Sequence, residues 1–119
     1  MKFKQFFFFF AALILLISCG QQHDAEKIVK QFIAENAVDA SNINILEFNK
    51  LDSTKLINDS IIGVMQSKHD EMFKENIEYS VKQSGRILYI VRMRYTYNSD
   101  TISKTFYLDE SLQNVVSFK

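Results

Sequence analysis

From Ile87 to Tyr97 the chain alternates without a break: Ile87, Tyr89, Val91, Met93, Tyr95 and Tyr97 take every second position, and Leu88, Ile90, Arg92, Arg94 and Thr96 take the others. A period of two belongs to a β-strand, whose successive side chains point to opposite faces. The stretch therefore predicts a long strand, and the rest of the chain must supply its neighbours and a cover. The turn-rich Asn98-Ser99-Asp100 follows. Ile102, Lys104, Phe106 and Leu108 then alternate with Ser103, Thr105 and Tyr107, as the return arm of a hairpin would. A connecting loop of two or four residues keeps the apolar groups on one face, setting Met93 opposite Phe106 and Val91 opposite Leu108. A three-residue loop would mix the faces. Asp109-Glu110-Ser111 supplies another turn, and Val115 to Phe118 forms a last strand in which Val115 and Val116 point opposite ways.

Upstream, the period changes. From Asp24, a candidate N-cap, Ile28, Val29, Phe32, Ile33 and Ala37 recur at helical spacing. Asn42 to Leu51 alternates imperfectly, with Ile43, Ile45 and Phe48 interrupted by Leu46, and ends in the turn-prone Asp52-Ser53-Thr54. A second helical pattern runs from Asn58 or Asp59 to Glu75, with Ile61, Ile62, Met65, Met72 and Phe73 on one side and Lys68, Glu71, Lys74 and Glu75 on the other. The expected fold class is α+β: two amphipathic helices packed on a curved antiparallel sheet of about four strands. In element order and size, residues 24–119 resemble the nuclear-transport-factor-two-like and cystatin-like cone folds. That resemblance rests on no residue motif and implies a fold only.

The N-terminus is of another kind. Lys2 and Lys4 precede Phe6 to Ile17, an uncharged and almost wholly apolar run, and Leu16-Ile17-Ser18-Cys19 closes it with the chain's only cysteine. The run is shorter than the roughly 20 residues a membrane span needs, and Gln21, Gln22, His23 and Asp24 follow at once. The four-residue motif resembles the lipobox of bacterial lipoproteins. The resemblance implies a signal helix over 1–18 cleaved between Ser18 and Cys19, a diacylglycerol and a further acyl chain such as palmitate on Cys19, a lipidated tether over 19–23, and one domain over 24–119. More than one chain on that residue gives a stable anchor, since each buried methylene contributes about 0.8 kcal/mol. Gly20 stands where an aspartate would signal inner-membrane retention. The implied address is therefore the outer membrane, facing the periplasm.

Composition narrows the function classes. Removing residues 1–18 leaves 119 − 18 = 101 residues, one compact domain, and takes Lys2 and Lys4 from the 14 basic residues, leaving 12 against 14 acidic ones. A mature formal charge near 12 − 14 = −2 gives no footprint for nucleic acid. The chain has no proline and three isolated glycines, Gly20, Gly63 and Gly85, so it carries neither a low-complexity stalk nor a glycine-rich phosphate loop.

Few residues invite chemistry. His69 falls among Ile62, Met65, Met72 and Phe73 on the second helical stripe, as a core imidazole or as a pocket acid-base group. His69-Asp70-Glu71-Met72-Phe73 is not H-E-x-x-H, and His23 lies far from it in sequence, so no metal site is expected. No serine lies in G-x-S-x-G. Asp109 and Glu110 are adjacent in a turn and diverge into water. Tyr89, Tyr95 and Tyr97 share a strand face and either pack in the core or line a ligand pocket. Arg92 and Arg94, on the opposite face with Thr105 and Tyr107, form either a solvated strand face or a partner surface.

These features together point to a membrane-anchored, non-enzymatic envelope lipoprotein that binds a protein or envelope component, without cofactor, catalytic residues or nucleic-acid partner. Two alternatives stand beside it: a small-ligand pocket protein built on His69 and the tyrosines, and an immunity or inhibitor-type lipoprotein.

Overall fold

The computed structural model describes residues 20–79 and 87–119. Helix α1 (20–36) leads through a 3₁₀ turn (Ala40–Asn42) into β1 (Ile43–Phe48) and the short β2 (Asp52–Thr54). Helix α2 (Asp59–Ser67) follows, then β3 (Leu88–Tyr97), β4 (Asp100–Leu108) and β5 (Val115–Phe118). The sheet is antiparallel in the order β1-β3-β4-β5, with β2 pairing beside β1 on the same edge of β3. This is the α+β architecture of two helices on an antiparallel sheet, with five strands among the described residues where about four were expected.

The additional strand is Asp52–Thr54, which reads as a turn in sequence and instead pairs with Leu88, Tyr89 and Ile90. Its strand character comes from the waiting edge of β3 and not from its own residues. The interrupted alternation of β1 has an equally local cause. Ile45 pairs with Tyr95 and Glu47 with Arg94, so Leu46 is the extra residue of a β-bulge and is left 45% exposed. The bulge returns Phe48 to the core face, opposite Met93.

The β3–β4 hairpin has the even loop, but its register lies two residues from the expected one. Tyr97 pairs with Asp100, Met93 with Lys104, Val91 with Phe106 and Tyr89 with Leu108. A slip of two preserves the faces, so the apolar pattern alone does not choose between the registers. The turn chooses: Asn98 (φ 50°) and Ser99 (φ 71°) both adopt the left-handed conformation that a tight hairpin loop requires.

Because neighbouring strand residues face opposite ways, the two core clusters lie on opposite faces of the sheet. Helix α1 lays Ala25, Val29, Phe32 and Ile33 against Val91, Met93, Tyr95, Phe106, Leu108 and Phe118. Helix α2 lays Ile62 and Met65 against Leu88, Tyr107 and Val116 at one end of the second face. The two helices thus flank the sheet, one on each face. The opposite directions expected for Val115 and Val116 are realised, one residue in each cluster.

Both helices differ in extent from their sequence patterns. Helix α1 already covers 20–23, where a tether and an N-cap at Asp24 were expected. Gln22 ties it down, donating from Nε2 to the Asn49 carbonyl (3.1 Å) and accepting at Oε1 from the Leu51 amide (2.6 Å). Helix α2 starts as read, with the Asn58 side chain accepting from the Ile61 amide (2.9 Å). It stops at Ser67, short of the expected Glu75, and Lys68 is extended. Asp70 accepts the Met72 amide on Oδ1 (2.9 Å), offering the backbone a local alternative to the helix. Residues 72–74 then bond to the end of α1, through Val38 N–H to Met72 C=O (2.9 Å) and Lys74 N–H to Asn36 C=O (2.9 Å).

Candidate partner-binding face

On its first face the sheet is closed by α1. On its second face α2 covers one end, and the remainder is open among the described residues. Arg92 and Arg94 both project from β3 on this open half, opposite Thr105 and Ser103 of β4. Lys119 continues the row, its backbone N–H and C=O each bonded to Thr105 (2.9 Å both ways). Arg92, Thr105 and Lys119 are therefore cross-strand neighbours. Arg94 bonds through Nε to Oε1 of Glu47 on β1 (3.0 Å), an exposed cross-strand pair that contributes little stability but fixes the guanidinium.

Between α2 and this row runs a groove of about 380 Å³, lined by Ile57 just before the helix, by Ile61, Val64 and Met65 along it and by Tyr107 and Lys119 on the sheet, with Lys68 at its rim. Ile61 is 40% and Val64 56% exposed, and neighbouring Leu56 is 86% exposed. This clustering of exposed aliphatic groups beside cations is the composition of an interface core with a charged rim. Reading Ile61 and Ile62 as one stripe missed it. The missed signal is the pair Ile61 and Val64, a second line on α2 beside that of Ile62 and Met65.

The other candidate residues separate. His69 lies outside α2 and is exposed, so the expected placement among the apolar stripe fails with the early end of the helix. Tyr95 is 1% exposed in the α1-side core, and burial, with Asp70 and Tyr97 nearby, pushes its hydroxyl up to about 12. Tyr97 is half-buried against the same core. Tyr89 borders a cavity of about 330 Å³ that it shares with Gln21, Gln22, Lys50, Leu51, Asp52 and Ser53. The three tyrosines and His69 do not converge on one pocket. Ser18 and Cys19, with the whole expected signal segment, lie outside the described residues.

Burial also acts on Tyr79 and Asp109. Asp70 forms an ion pair with Lys104, and Tyr79, pushed up to about 12 by burial and by the Asp70 charge, stacks 6.1 Å from Phe32. Burial alone would raise Asp109. Hydrogen bonds from the Asn114 side chain, the Gln113 and Asn114 amides and the Ser111 hydroxyl outweigh it and hold its carboxyl below the usual range. Among the described residues no three His, Cys, Asp or Glu side chains are grouped to hold a metal, and no helix is long and apolar enough to cross a membrane. No protein family, curated protein or solved structure matches this chain.

Proposed function

We propose that the protein is a lipoprotein of the bacterial envelope, anchored through acylated Cys19, which binds an envelope protein on the open half of its sheet. The observation that carries the binding role is the arrangement of that half: Arg92 and Arg94 exposed on one strand face, Arg92 in a cross-strand row with Thr105 and Lys119, beside an aliphatic groove. A face serving only as solvated surface has no need of two cations next to exposed Leu56, Ile61 and Val64. Anchoring is supported by the Leu16-Ile17-Ser18-Cys19 motif behind its basic and apolar run. Outer-membrane delivery, with the domain in the periplasm, follows from Gly20 after the cysteine.

Two experiments test the two halves separately. Cys19→Ala should abolish incorporation of a palmitate analogue in growing cells, and retained label would refute the anchor. The double change Arg92→Glu, Arg94→Glu should remove proteins that co-purify from solubilised envelopes. Binding through this face is refuted if every co-purifying protein stays.

A further inference from the structure

We infer that the groove beside α2 seats an amphipathic helix of the partner protein, with aliphatic side chains turned toward α2 and carboxylates turned toward Lys68 and Arg92. This deepens the reading of the open face as the binding surface and rests on it. Helix α2 carries two apolar lines. Ile62 and Met65 point into the sheet, whereas Ile61 and Val64, three residues apart, lie exposed along its flank, with Ile57 just before the helix and Lys68 just after it lining the same groove. Nothing among the described residues covers that flank.

Because α2 occupies only the Leu88, Tyr107 and Val116 end of the second face, a helix laid parallel to it, about 8–10 Å away, would rest over Arg92 and Thr105. That is the helix-in-groove mode of recognition. The charge of the occupant follows from the rim. Lys68 and Lys119 line it, Arg92 stands beyond Thr105 in the same cross-strand row as Lys119, and Glu47 is already engaged with Arg94, so cations predominate there. Carboxylates on the occupant complement it.

Two other occupants fit less well. A bilayer meets convex surfaces, whereas this aliphatic line is recessed between a helix and a sheet with Asn58 and Ser60 beside it. A second copy of the chain could offer only α2, whose own Lys68 would set like charges against Lys68 and Lys119 of the groove, since α1 turns Val29, Phe32 and Ile33 inward and presents Lys27, Lys30, Gln31, Ala34 and Glu35 outward.

The test uses full-length protein in nanodiscs of zwitterionic lipid and two synthetic helical peptides that share a leucine line and differ only in a glutamate or lysine opposite face. Fluorescence anisotropy, with empty discs subtracted, should show the glutamate peptide binding at least tenfold tighter than the lysine peptide. Val64→Lys should weaken it at least tenfold without moving the unfolding midpoint, since Val64 is outside the core. Arg92→Glu should reduce or reverse the preference. Equal binding of both peptides, no binding above empty discs, or an unchanged affinity in Val64→Lys would overturn the inference. Tight, selective peptide binding together with unaltered co-purification by the Arg92→Glu, Arg94→Glu protein would leave the groove standing and refute the arginine face alone.

Discussion

Lys104 of β4 and Asp70 of the segment after α2 form an ion pair on the α1 side of the sheet, and the ammonium stands 5.2 Å from the ring centroid of Phe118 and 5.7 Å from that of Phe73. The lysine side chain is 9% exposed and the aspartate 29%, so the pair is desolvated on one side only. Asp70 also accepts the Met72 amide, which lets one carboxylate hold the chain as it passes round the β5 edge. Asp70→Ala should destabilise the fold by about 2 kcal/mol, below the value for a fully buried pair, because it strands the Lys104 charge. The double change Asp70→Ala, Lys104→Met should recover most of that loss. Urea unfolding midpoints of the two variants decide it, and equal losses would refute the account.

Phe106 is fully buried, and its ring lies 6.2 Å from Phe32 and 5.9 Å from Phe118. Phe106→Ala should cost roughly 3–5 kcal/mol through lost transfer energy and the cavity left behind. Leu46→Lys, at the bulge and already exposed, should change stability by less than about 0.5 kcal/mol. Thermal or urea unfolding compares them directly.

Ser99 holds a positive φ without being glycine. Ser99→Gly should stabilise the protein by roughly 0.5–1 kcal/mol, because the left-handed conformation costs glycine nothing and Asn-Gly is the preferred two-residue hairpin loop. A lowered unfolding midpoint would show that the loop is held by something other than its dihedral angles.

Tyr79 and Tyr95 are both raised from 10.0 to about 12, so each is neutral in the folded chain while its unfolded counterpart ionises near 10.0. The stability they carry is complete below pH 10 and falls as pH rises toward 12, since the unfolded chain then binds fewer protons. Asp109 runs the other way. Its lowered pKa contributes stability above the unfolded value of 3.8, and that contribution is lost as pH falls below 3.8 through the folded value. Tyrosinate absorbance should show part of the tyrosine signal titrating late, and Asp109→Asn should flatten the acid limb of a stability–pH curve.

What sequence could show depended on which forces decide each element. The long alternation of β3 is visible because burial on one face writes itself into every second residue. The two-residue register slip is not, because both registers bury the same groups and only the Asn98 and Ser99 backbone separates them. Met72 and Phe73 continue the spacing of α2, yet the helix ends at Ser67, six residues before Phe73, and Asp70 captures the Met72 amide, which leaves His69 in solvent. Exposed Arg92 and Arg94 follow from strand parity alone. The aliphatic groove does not, because it requires knowing that α2 crosses only one end of the face and leaves Ile61 and Val64 beside an open strand row.

Helix α1 is in place by residue 20 and Gln22 clamps it to the Asn49–Leu51 connection, so an acyl group on Cys19 would have almost no slack between itself and the folded body. Seventeen helical residues rise about 25 Å. A partner would then have to come down to the bilayer to be met, and proteins confined to that shallow layer are the ones within reach.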